Sequence, residues 1–182
     1  KKEKIFWICP LVDEVEENPK SNVEEKFIEF CQRFGDDKVL AIHGKLKSDK
    51  KDQIMRQFKD EDFSILIATT VIEVGIDIPQ ATVIFIENAE NFGLSQLHQL
   101  RGRVGRGHKK SYNILLCKKY LGNIARKRLE ILKNSNDGFE IARKDLEIRG
   151  AGKIFGKNQS GFFANKIADF NLDWDLFELA KK

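Results

Sequence analysis

The segment QLHQLRGRVGRG, residues 96–107, sets three arginines (Arg101, Arg103, Arg106) among three glycines, with no acidic residue between them. A guanidinium is always charged, and its planar fork matches the oxygens of a phosphate. Glycine lets backbone approach a ligand closely. One Arg-Gly pair reads as a solvated basic turn. Two arginines at G-R-x-G-R spacing, preceded by Gln99, point instead to an anion. An arginine presented from outside to a γ-phosphate stabilises the charge that develops in phosphoryl transfer. Gln99, Arg103 and Arg106 are therefore the first candidates.

A second constellation is ATTVIEVGIDIP, residues 68–79. It leaves an apolar run through Thr69 and Thr70 and reaches Gly75 and Asp77 before Pro79 blocks further helix. Thr69 and nearby amides suit a nucleic-acid phosphate. Asp77 suits a ribose hydroxyl or one of the arginines. Two plain capping roles, for Thr70 and Asp77, fit equally well. His43 and Gly44 end another apolar run, and Lys45, Lys47, Lys50 and Lys51 follow. Such a loop suits a phosphodiester backbone, although a charge run by itself is commonly a solvated helix face.

Several chemistries are missing from the sequence. A P-loop needs G-x-x-x-x-G-K-[ST]. Here Lys157 follows Gly156, but Asn158 replaces the hydroxyl residue and Ala151 the first glycine. Gly150 and Gly152 are followed by Gly156, one residue too late for a dinucleotide fingerprint. The chain alone is therefore expected not to hold a nucleotide with its magnesium ion. His43, His98 and His108 lack metal-ligand spacing, so no metal site is expected. Cys9, Cys31 and Cys117 form no C-x-x-C pair, and the reading is buried free thiols in a reducing compartment. No apolar run is long enough to span a membrane, and KKEKIFWICP is unlike a signal peptide. With no initiator Met, the chain reads as a piece of something longer.

Five apolar runs can position these residues: 5–11, 38–44, 64–70, 82–88 and 111–117. They are near-continuous, as strands buried on both faces are. Between the first three lie helical patterns. One opens with a capping-box spacing, Ser21 and Glu24, and stripes Val23, Phe27, Phe30, Cys31 and Phe34. The other stripes Ile54, Met55 and Phe58. A third helix is expected after Gly93. This strand–helix alternation predicts an α/β parallel sheet. In such sheets ligands lie beyond the carboxyl ends of the strands, which selects the segments after Ile42, Ala68 and Glu87. After Cys117 the pattern changes to two amphipathic helices broken at 134–138, a glycine-rich basic stretch, and a short helix in NLDWDLFELAKK. The expected division is 1–118 and 119–182. With 182 residues, net charge +4 and 41% hydrophobic residues, the chain is a mildly basic globular protein, compatible with a nucleic-acid partner.

These segments together resemble a family. ATTVIEVGIDIP resembles motif V and QLHQLRGRVGRG motif VI of superfamily-two helicases. IENAENFGLSQLHQLRGRVGRG, WICPLVDE and AIHGKLKSDKKDQIMRQF are similar to RecG, a family of ATP-dependent DNA helicases that remodel stalled forks and Holliday junctions. GFEIARKDLEIRGAGKIFGKNQSG is similar to the translocation motif shared by RecG and the transcription-repair coupling translocase Mfd. CPLV, VIEVG and LHQLRGRVGRG favour RecG. Lys50 and Gln80 depart from the family's commoner Glu and Asn. The resemblance implies a second RecA-like motor domain followed by a helical translocation element. It implies Arg106 as principal arginine finger, with Arg103 also on the γ-phosphate and Gln99 organising the site. Gly75 and Asp77 would line the nucleotide cleft. Thr69, His43 and Lys51 would lie near DNA, and Arg149 and Gln159 would belong to the translocation element. ATP and Mg2+ would be held mainly by a first motor domain, leaving this piece inactive alone. The implied partner is branched double-stranded DNA, and the implied setting a monomer in the bacterial cytoplasm. The equivalent Mfd domain and a non-catalytic DNA-binding module are the alternatives.

Overall fold

A computed structural model describes residues 3–10, 22–69 and 77–149. All five expected strands form: β1 (Lys4–Ile8), β2 (Val39–Ile42), β3 (Ile65–Ala68), β4 (Ala81–Ile86) and β5 (Tyr112–Leu115). They make one parallel sheet in the order β2-β3-β1-β4-β5. Each strand is shorter than its apolar run.

Side chains alternate across the sheet, and both faces are covered. Ile65 and Ile67 pack with Val23 and Phe30 of helix α1 (Asn22–Phe34). Phe6, Ile8, Leu66, Ile84 and Ile86 face the other way, into a larger core. That core takes Ile54, Met55 and Phe58 from α2 (Ser48–Asp60) and Leu94, Leu97 and Leu100 from α3 (Leu94–Arg101). Only β3 is buried at every position. β1 alternates buried and half-buried residues, and β5, at the edge, is half-buried or exposed. Continuous apolar sequence therefore overstated the burial of the outer strands. Ser21, the expected helix cap, lies outside the described residues. The α1 stripe holds at Val23 and Phe30 but ends at Phe34, which is 47% exposed.

A buried cation secures the amino side. Lys4 is 5% exposed, and its ammonium donates to the carbonyl oxygens of Phe58, Glu61 and Phe63, where α2 ends. Those carbonyls have no partner within the helix, and a cation there also meets the negative end of the helix dipole.

The two late helices form as α4 (Asn123–Asn134) and α5 (Gly138–Arg149). Leu132 and Ile141 join the larger core, so this hairpin packs directly on the sheet domain through α3. The short helix expected in NLDWDLFELAKK lies outside the described residues. Of the cysteines, Cys9 is buried, and its thiol is pushed up to about 12, first by desolvation and then by Glu87. Cys31 is half-buried and Cys117 exposed. The expectation of a buried Cys117 fails because it lies past the end of the edge strand β5, where no helix covers it among the described residues.

Candidate functional site

Helix α3 starts near the carboxyl end of β4 and runs back toward the strand's start. Its first turn is closed by the Gln96 side chain, whose Oε1 accepts from the Gly93 amide at 2.9 Å. Its apolar residues, Leu94, Leu97 and Leu100, are buried, which leaves Gln99 on the exposed face. The chain then turns through residues 102–110 to enter β5. The arginine loop therefore sits at the amino ends of β4 and β5. The Gly105 amide donates to the Ala81 carbonyl at 3.4 Å, beside the first residue of β4. This loop therefore lies away from the carboxyl-end segments that the sheet rule selects. The rule concerns loops that follow strands, and this loop precedes one.

Two of the loop's glycines are required by geometry. Gly105 has φ +80°, and a Cβ there would stand 2.6 Å from Ser111 Oγ. A Cβ on Gly107 would stand 2.5 Å from the Pro79 carbonyl oxygen. The loop is thus pressed against the segment that carries Asp77. We expect Gly107→Ala to leave the protein folded but to displace the Arg106 backbone. Misplacement near 1 Å costs roughly 10²-fold in rate, so ATP turnover in the full-length enzyme is the measurement. Turnover within twofold of wild type would show that the close approach is not needed.

That contact brings two sequence candidates together. Arg106 Nη1 lies 3.3 Å from Asp77 Oδ1, and Arg106 Nε donates to the Gly102 carbonyl at 2.9 Å. Both side chains are about half exposed, 43% and 54%. An ion pair so exposed is worth only about 0–1 kcal/mol. It orients Arg106 without locking it, which leaves the guanidinium available to another anion at little cost. Arg103 is half-buried and Gln99 exposed, and neither makes a side-chain hydrogen bond or ion pair among the described residues. Two guanidinium forks and one carboxylate fit the phosphates and ribose of a nucleotide held from the opposite side. Among the described residues, no group of three His, Cys, Asp or Glu side chains is placed to hold a metal ion. Gly75 lies outside the described residues.

The other candidates occupy the opposite edge, roughly 17 Å away along a six-residue strand. His43 follows β2 and is half-buried. Thr69 follows β3; its amide donates to the Ile42 carbonyl at 3.3 Å, so that amide is already used. Its hydroxyl is buried with no hydrogen-bond partner among the described residues. A buried orphan hydroxyl is unusual and invites a ligand oxygen. Lys51 donates to the Gly44 carbonyl at 3.0 Å, closing the loop that carries His43. The structure therefore splits the candidates between two edges. Of the translocation pair, Arg149 ends α5 and Gln159 lies outside the described residues.

The sequence did not reveal what Arg101 does. It turns away from Arg103 and Arg106, and its guanidinium donates to the carbonyl oxygens of Leu132 and Ser135 at 2.7 and 2.8 Å. It also meets His98 Nδ1 at 2.9 Å. Burial, and then the Arg101 charge, hold the His98 imidazole below its usual range, which keeps that nitrogen free to accept. Ser95 donates to the buried Asp145 at 2.5 Å, and Arg128 to the carbonyl oxygens of Phe92 and Glu90. So α3 and the turn before it are tied to both α4 and α5. The one legible signal was an arginine lying one residue outside the G-R-x-G-R pattern.

Residues 1–108 match the family described as "Helicase conserved C-terminal domain". The chain belongs to that family. Residues 135–182 match "ATP-dependent DNA helicase RecG, domain 3, C-terminal", which makes it a RecG-type domain and disfavours the Mfd alternative. The ATP-dependent DNA helicase RecG of Bacillus subtilis is 45% identical over 178 residues, 97% of this chain and 26% of its own length. That of Haemophilus influenzae is 43% identical over 172 residues, 94% of this chain and 25% of its own. A solved RecG bound to a three-way DNA junction aligns with TM-score 0.73 and 39% identity, covering 97% of this chain and 22% of that one. The RecG domain described here thus spans about a quarter of the length of the curated relatives it matches. Its parallel sheet with flanking helices is the RecA-like arrangement of a helicase C-terminal domain. Among the described residues no helix is long and apolar enough to cross a membrane.

Proposed function

We propose that this chain is the second motor domain of an ATP-dependent helicase that unwinds and remodels branched DNA, stalled forks and Holliday junctions, in recombination and repair. ATP and Mg2+ are held mainly by a first motor domain bearing the P-loop, and the present piece alone is inactive. Arg106 is the principal finger on the γ-phosphate, Arg103 shares its charge, and Gln99 organises the site. Gly75 and Asp77 line the nucleotide cleft. Thr69, His43 and Lys51 contact the DNA backbone at the far edge of the sheet. Residues 119–182 form the translocation element, with Arg149 and Gln159 acting on duplex DNA. The protein works as a monomer in the bacterial cytoplasm.

The observation that carries this reading is the Arg106–Asp77 pair beside Arg103, on a loop turned at Gly105 (φ +80°) and brought against Pro79 at Gly107. It offers two cations to a phosphate and supplies no phosphate-cradling loop. The solved RecG on a three-way junction supports branched DNA as the substrate. The test is ATP hydrolysis by the full-length protein with a three-way DNA junction, a linear duplex and no DNA. We expect the junction to stimulate most. Turnover indifferent to DNA would contradict the motor reading and favour a passive binding module.

A further inference from the structure

Charge is distributed very unevenly along this chain. Residues 109–133 hold eight of its 32 basic side chains and one of its 28 acidic ones, so the remainder carries 24 basic against 27 acidic. Arg128 turns inward to backbone carbonyls, and Lys109 pairs with Glu3 at 2.9 Å. The other six, Lys110, Lys118, Lys119, Arg126, Lys127 and Lys133, are exposed, and none forms an ion pair among the described residues. Three lysines elsewhere, Lys26, Lys38 and Lys144, each meet a carboxylate.

Four of the six flank one link, the one that runs from β5 to α4. Lys118 and Lys119 follow β5 at its carboxyl end, where the Leu116 amide still reaches the Ile86 carbonyl. Arg126 and Lys127 lie near the start of α4, whose first turn has no acidic residue. Cations near a helix N-terminus oppose its dipole, so helix stability does not account for them. Between the two pairs stands Tyr120, 84% exposed, with Lys119 Nζ 5.6 Å from its ring centroid. A large aromatic in water, with one lysine beside its ring and other exposed cations close in the chain, matches the chemistry of a single-strand binding surface: cations follow the phosphates and the ring stacks on a base. Paired bases are already stacked, so an exposed ring of this kind serves an unpaired strand.

We infer that Lys118, Lys119, Tyr120, Arg126 and Lys127 form a second nucleic-acid contact, which takes single-stranded DNA exposed at the branch. This rests on the DNA-motor reading above and extends it. The patch shares the carboxyl edge with His43 and Thr69 but lies at the other end of the sheet. β2 and β5 are four strand spacings apart, about 19 Å. The two contacts are therefore far enough apart to grip different parts of one substrate. Both are remote from Arg106, on the opposite edge.

The test uses the full-length protein and three probes: a single-stranded oligodeoxynucleotide, a duplex of equal length and a three-way junction. Binding is measured by fluorescence anisotropy across a salt series. Lys118→Ala with Lys119→Ala is expected to flatten the single-strand salt dependence by about 1.4, roughly 0.7 for each lost phosphate contact. Tyr120→Ala is expected to weaken single-strand binding roughly tenfold with the slope kept, and Tyr120→Phe to retain it. DNA-independent ATP hydrolysis stays as in wild type for all of them. Variants that bind single strands as wild type does, while wild type binds DNA, overturn this contact and leave the motor reading standing. A wild-type protein that binds none of the three probes overturns both.

Discussion

Replacing Arg106 by alanine in the full-length enzyme is expected to cut DNA-stimulated ATP hydrolysis by roughly 10³–10⁵-fold, the range for arginine fingers, while leaving DNA binding nearly intact. The reason lies in where the side chain sits. Arg106 is half exposed, paired only weakly with Asp77, and carried on a loop fixed by two glycines. Nothing in the hydrophobic core depends on it, so its loss does not unfold the domain. On the proposed finger reading, its removal takes positive charge from the position where phosphoryl oxygens gain negative charge. Arg103 remains and keeps part of the effect, so its own alanine variant is expected to be less severe. Thr69, His43 and Lys51 stand at the other edge of the sheet, and DNA affinity at fixed salt should move by less than about threefold. Unchanged turnover would remove Arg106 from the finger role. A matching loss of DNA affinity would mean that the two edges are not functionally separate.

The second large effect concerns Arg149, the last residue of α5. Arg149→Ala is expected to keep ATP hydrolysis within a few-fold of wild type and to lower fork unwinding by at least about 10²-fold, the scale on which small misplacements act. α5 is anchored to α3 through Ser95 and Asp145, and α4 to the turn at Phe92 through Arg128. α3 leads directly into the loop of Arg103 and Arg106. On the proposed motor reading, displacement of that loop on closure of the nucleotide site would reach the hairpin through these hydrogen-bonded contacts. Loss of Arg149 would then uncouple movement from hydrolysis without touching the phosphate site. ATPase assays and strand-displacement assays on a fork, run on the same preparation, measure the two quantities. A parallel loss of both would mark Arg149 as a structural residue.

Much of this was legible in the sequence, for physical reasons. The five strands announced themselves because a parallel sheet covered on both faces needs apolar residues at successive positions, as in SILIATT. The helical stripes of Ile54, Met55 and Phe58 were equally plain, and all three are buried. The arginine loop stood out because glycine and arginine at that spacing have few other uses. What stayed hidden depends on tertiary contact. That Gly107 is needed against the Pro79 carbonyl is invisible until two segments 28 residues apart meet. That Arg101 belongs to the hairpin junction, and not to the phosphate group of arginines, depends on where α4 ends. The rule placing ligands beyond carboxyl ends gives no position for the arginine loop, because α3 carries the chain back across the sheet before the loop begins. Cys117 read as buried from its apolar neighbours, yet an edge strand protects little beyond its own end.

The central claim is that this domain supplies charge to a nucleotide it does not itself cradle, and supplies it best when the phosphoryl group is in flight. Interactions that matter for rate are stronger in the transition state than in the ground state. The most direct measurement compares ADP with ADP–aluminium fluoride, a mimic of phosphoryl transfer, on full-length wild type and Arg106→Ala in the presence of a three-way DNA junction. The account predicts equal ADP affinity for both proteins, and a mimic affinity that falls by at least about 10²-fold in the variant. Equal affinity of both proteins for the mimic would contradict it.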